Sequence, residues 1–139
     1  MPASTPTASA PPVPLRSPFL TAALAWLIPG AGHFLLGRRA RAIIIFLTVL
    51  AAFAVGLLLH GPIFQPGGAD VLTRVINTGG FIGDIASGAF YFIAVSCGYF
   101  PPDTGGHASD YGSKFLVVAG LLNILSIVDA YEIATRQKD

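Results

Sequence analysis

The stretch Ile28-Pro29-Gly30-Ala31-Gly32-His33-Phe34-Leu35-Leu36-Gly37-Arg38-Arg39-Ala40-Arg41 joins one apolar run to the next and decides how the chain folds. Pro29 has no backbone N–H and Gly30 loses the most backbone entropy on ordering, so the pair predicts a kink or break in any helix that reaches it. After Gly37, three arginines fall within four residues. Such a cluster at a membrane boundary stays among the headgroups, held by anionic lipid and by its own hydration. Gly30, Ala31, Gly32 and Gly37 are small enough to admit a second backbone at close range, as in membrane helix contacts. Two forms follow: a kinked first helix with a basic stop, or a re-entrant hairpin whose His33 faces a partner.

Working outward, the composition demands a membrane. Of 139 residues 53% are apolar and only 11% charged, and a mean hydropathy of +0.69 exceeds what a soluble domain of this size needs. Ala42 to Leu59 carries neither charge nor proline, close to the roughly 20 residues of a transmembrane helix. The net charge of +1, with no basic stripe beyond Arg38, Arg39 and Arg41, argues against nucleic acid as a partner. Cys97 is the only cysteine, so no intramolecular disulfide forms.

The predicted fold is an all-α integral membrane helical bundle with three full spans plus a kinked or re-entrant first apolar helix. Residues 1–18, rich in Pro, Ser, Thr and Ala, read as a disordered tail rather than a signal peptide, because the basic leading segment is missing. A single transmembrane domain then occupies 19–134, with apolar elements at about 19–36, 42–60, 81–100 and 115–134, and 135–139 form a short polar tail. Gly61 to Gly80, with two prolines and five glycines, reads as a loop. Within it Val71, Leu72, Val75 and Ile76 would share one side of a short interfacial helix at 69–76. Pro101 to Gly112 reads as a second loop.

The arginines place the loop at Arg38 in the cytoplasm. Counting three spans onward puts Asp84, Asp129, His60 and Arg74 together at the opposite face, with the C-terminus there too, although Arg136 and Lys138 favour the other side. Asn123, Ser126 and Asp129, three residues apart, form one polar helix face that must point at protein. Asp84 and Asp129 are therefore candidates for cation binding, proton relay or interhelical pairing, with His60 beside them. The structural alternative has Asp84 capping the third helix at its start and Asp129 pairing with Arg136 or bonding across helices. His33, His60 and His107 lack metal-ligand spacing, and no nucleophile, phosphate-loop or metalloprotease motif occurs. No enzyme activity, metal or cofactor is expected on these grounds; a haem-type group held by His33 or His60 is the remaining cofactor option.

Pro29-Gly30-Ala31-Gly32-His33-Phe34-Leu35-Leu36-Gly37-Arg38 resembles the Gly-rich, His/Phe-containing turn of the two-transmembrane-helix (TM2) domain family. Gly32, His33, Phe34 and Gly37 carry the match, and Asp129 resembles the acid that ends that family's second helix; Leu35 stands where the family has Tyr. The segment from Ala119 to Ala134 is also similar to an uncharacterised family of small bacterial membrane proteins. The resemblance implies a multi-pass protein, of a bacterial cytoplasmic (inner) membrane, and brings no catalytic activity.

The function expected from all this is that of a structural or accessory subunit. It would pack against partner membrane proteins, or against its own copies, through Gly30, Gly32, His33, Gly37, Asn123 and Ser126. The alternative is a small oligomeric ion or proton conductor using Asp84 and Asp129.

Overall fold

A computed structural model describes residues 17–102 and 106–135. The expected tail, apart from Ser17 and Pro18, and the C-terminal Arg136 and Lys138 lie outside them. Among the described residues every regular element is an α-helix: α1 (Pro18–Leu27), α2 (Ala31–Leu35), α3 (Arg39–Leu58), α4 (Val71–Ala86), α5 (Ala89–Ser96) and α6 (His107–Ala134).

Two of these, α3 and α6, are long and apolar enough to cross a membrane, and a third crossing exists only if the bent pair α4 and α5 is one span. At ~1.5 Å per residue, the 20 residues of α3 make roughly 30 Å, a bilayer core's thickness. α3 and α6 run antiparallel. Gly56, near the end of α3, lies against Leu116 and Gly112 near the start of α6, whereas Arg41, at the start of α3, reaches Asp129 near the end of α6. Gly61 and Gly112 touch through their backbones, which no side chain would permit. The bundle thus has an arginine end and a Gly61 end.

The first apolar element turns back on itself. The Phe19 ring meets Tyr131 at the arginine end, 6.1 Å between centroids, and seven residues on the Trp26 carbonyl accepts from the Asn123 amide at mid-length of α6. Pro29 then ends the helical hydrogen bonding and Gly30, at φ 85°, packs on the Ala42 backbone. From there α2 heads back, with Gly32 wedged between Ala25 and Ala130, its absent Cβ 2.8 and 2.9 Å from theirs.

The expected third span, 81–100, is not one helix. α4 begins at Val71, inside the expected loop, and takes in residues 71–76 of the predicted interfacial segment 69–76; it ends at Ala86, and α5 leaves at 102° to it. The break falls at Ser87–Gly88, where Gly88 adopts φ 68° and any Cβ would run into the Trp26 carbonyl oxygen. α4 runs parallel to α6, Gly83 against Val117 and Gly120, then Ala86 against Gly120 and Asn123. α5 climbs back: Phe90 packs on Phe46 and Phe53, and the Tyr99 hydroxyl just beyond donates to the carbonyls of Leu57 and Gly61 at 3.3 and 3.0 Å. The second expected loop is also shorter than 101–112, since α6 starts at His107.

Small residues fill the core. Ala25, Ala42, Ala86, Ala94, Ala119, Ala130 and Ala134 are buried, while Ile43, Ile44, Leu47, Leu121 and Leu125 are exposed. In lipid, helices gain little by hiding leucine from a hydrocarbon solvent; they gain from close backbone approach.

Candidate functional site

Buried polarity collects at three levels. At the arginine end, His33 is fully buried and its Nε2 lies 2.7 Å from Asp129 Oδ2, while Arg41 Nη1 lies 3.3 Å from the same oxygen. An ionised carboxylate only accepts, so Nε2 carries the proton. Nδ1 has no partner among the described residues. Asp129 is 23% exposed and Arg41 47% exposed, so this is a charge-assisted clasp at the rim of the bundle. It ties α2, α3 and α6 together.

At mid-length the two helix breaks meet. Asn123, fully buried, donates from Nδ2 to the Trp26 carbonyl at 3.1 Å and to the Ala86 carbonyl at 2.9 Å. Trp26 Nε1 donates to the Ile85 carbonyl at 3.2 Å. A helix C-terminus leaves carbonyls without intrahelical donors, and in lipid no water replaces them. One amide side chain therefore serves the ends of both α1 and α4.

The third level is Asp84, buried in the last turn of α4, whose Oδ2 accepts from the Phe64 backbone N–H at 2.7 Å. That bond draws the connection after α3 down beside α4, and the Phe64 ring lies where a side chain on Gly80 would be. Asp84 Oδ1, Asn123 Oδ1 and Ser126 Oγ have no partner among the described residues.

The structure separates residues that the sequence reading grouped. Asp129 joins His33 and the arginines, not Asp84 and His60, because α5 returns to the Gly61 end and α6 then descends to the arginine end. Nor does Asp84 cap the start of a helix; the N-cap of α4 is Asp70, which accepts from Thr73 N at 2.9 Å and Thr73 Oγ1 at 2.6 Å. Those bonds, the hydroxyl's first, hold the Asp70 carboxyl below its ordinary value. His60 ends α3 at φ 54° and, exposed, lines a cavity of about 300 Å³ with Pro102 and Ser109. Arg74 Nη2 reaches the Gly68 carbonyl, at 3.5 Å. The suggested pairing of Asp129 with Arg136 lies outside the described residues. Gly37 takes φ 79° with open space around it, and Ser126 is buried. Among the described residues no three His, Cys, Asp or Glu side chains gather as metal ligands. Trp26 Nε1 and the Tyr99 hydroxyl escaped the sequence reading: both donate to helix-end carbonyls that exist only once the hairpins form.

Residues 20–139 match the protein family described as "Family of unknown function (DUF6677)", and the chain belongs to it. The TM2 family is not matched. No curated protein and no solved structure matches.

Proposed function

We propose that this member of the family is a non-enzymatic integral membrane protein of the bacterial cytoplasmic membrane, an accessory subunit that packs against partner membrane proteins or copies of itself. α3 and α6 are its two spans, in place of the three counted from sequence. α1–α2 enters from the cytoplasmic, arginine end and α4–α5 from the other side, both re-entrant.

One observation carries this reading: four interior polar side chains serve backbone. Asn123 and Trp26 bind helix-end carbonyls, Asp84 binds the Phe64 N–H, and Tyr99 binds the end of α3. Irregular backbone at membrane depth persists only where it is satisfied inside protein. Side chains engaged in this way supply architecture, and the lipid-facing surface is left to meet partners. The TM2-like reading of the turn is supported by the bond between His33 and Asp129, two of the five residues on which the resemblance rests.

Asp84 favours a second reading, a small proton or cation conductor, because one buried carboxylate oxygen has no partner among the described residues. Purification in mild detergent, followed by mass determination and flux assays on liposomes holding the chain alone, separates the two. A fixed complex without flux is expected. Proton or cation flux that Asp84→Asn abolishes would replace the first reading with the second.

A further inference from the structure

Two cavities lie near each other where the first hairpin joins α3, their linings adjoining at Arg41 and Ala42. One, of about 290 Å³, is walled by carbon: Pro29, Gly30 and Phe34 of the turn and Ala42, Ile43, Phe46 and Leu47 of α3 line it. The other, an open basin of about 490 Å³, is lined by Gly37 to Arg41. Phe34 links them, since the Arg39 guanidinium sits over its ring, 5.8 Å from the centroid.

The basic cavity has unmet charge. Arg41 engages Asp129, but among the described residues no carboxylate pairs with Arg38 or Arg39. α3 opens here without a side-chain cap, so the first-turn amides of Arg39, Ala40 and Arg41 add donors and the positive end of the helix dipole. An apolar groove alone accepts any hydrocarbon, and arginines alone accept any anion. Joined at the depth where a bilayer's headgroups meet its chains, they fit one molecule bearing both.

We propose that these two neighbouring cavities together form a binding site for one anionic phospholipid, its phosphate among Arg38, Arg39 and the first turn of α3 and its acyl chain in the groove beside Phe34 and Leu47. Basic pockets between membrane helices suit such headgroups. The proposal stands apart from the accessory role: a lipid bound here is compatible with a subunit or a conductor.

The test is native mass spectrometry of the delipidated full chain, titrated with phosphatidylglycerol, phosphatidylcholine or inorganic phosphate. One phosphatidylglycerol per chain is expected to bind, with phosphatidylcholine far weaker and inorganic phosphate unable to displace it. The double variant Arg38→Gln/Arg39→Gln should lose roughly 30-fold in affinity, the weight of two arginines near an anionic headgroup. Ile43→Trp, which fills the groove and keeps every arginine, should lose the lipid too, with helicity unchanged by circular dichroism. It decides alone if the double variant does not fold. Equal binding of phosphatidylcholine, displacement by inorganic phosphate, or undiminished phosphatidylglycerol on Ile43→Trp would each overturn the site. So would a wild-type dimer that Ile43→Trp splits and phosphatidylglycerol leaves intact, since the groove would then belong to a second copy.

Discussion

The hairpins α1–α2 and α4–α5 reach the same level of α6 from opposite ends, and their turns rest on different chemistry. The first is broken covalently: Pro29 cannot continue a helix, whatever surrounds it. The second is broken by its neighbours, because Ser87–Gly88 is a weak signal until the Trp26 carbonyl occupies the space beside Gly88. The tips also depend on each other, Trp26 donating to Ile85 while Asn123 binds both. A turn made by contact should fail when the contact fails; a turn made by proline should survive.

Gly88→Ala tests this most severely. The new methyl group would meet the Trp26 carbonyl in a left-handed conformation that disfavours alanine by about 1–2 kcal/mol, and forced overpacking adds about 1–3 kcal/mol. Thermal unfolding in detergent should show a loss of roughly 2–5 kcal/mol. Gly37→Ala is the control, with φ 79° but nothing within 4 Å, and should show the conformational part alone, about 1–2 kcal/mol. Equal losses in the two variants would mean that the second tip is not set by contact.

Asn123→Leu keeps the volume and removes the shared donor. Interhelical hydrogen bonds in membranes contribute about 0.6 kcal/mol on average and up to about 1.7 each, so losing two should cost about 1–3 kcal/mol. Hydrogen exchange should rise at both tips together, residues 26–30 and 85–90. A rise at one tip only would show that the hairpins stand independently.

The same contrast explains what could be read from the chain. The first break was legible because proline and glycine act locally, and α3 because an uninterrupted apolar run needs no partner to be helical. Asp129 was misplaced for a topological reason: α5 returns to the Gly61 end, so the apolar run at 81–100 does not carry the chain from one end of the bundle to the other. Its partner His33, 96 positions away, was flagged only by the turn it sits in. Asp84 was legible as a buried acid but not as a ligand for the Phe64 N–H, since the segment that supplies it reads as an ordinary loop. The polar stripe Asn123, Ser126 and Asp129 was legible as protein-facing, yet its members act at different levels.

Asp129→Asn sharpens the comparison from the other end. It preserves shape while removing the charge that His33 and Arg41 meet, at a partly exposed site where such pairs contribute about 1 kcal/mol or less. Exchange should quicken in residues 31–36 and not at 83–90. Matching changes at both places would mean that the clasp supports the whole bundle.

The smallest effect concerns how each hairpin begins. α1 starts with Pro18 in its first turn and no side-chain cap, so it has nothing there to titrate; α4 starts at Asp70, whose carboxylate takes two bonds from Thr73. Because those bonds favour the ionised form, the carboxyl titrates below its ordinary value of 3.8. A lowered value in the folded state means that the cap stabilises fully above about pH 4 and is lost as pH falls through the folded value. Asp70→Ala should therefore lower the protection of the Thr73 amide, the slowing of its exchange relative to the unfolded chain at the same pH, and acidifying the wild type below its folded value should lower that protection likewise. Protection of the α1 amides should respond to neither treatment. A variant whose Thr73 amide still gains protection as pH rises through this range would show that another group, not Asp70, carries the cap.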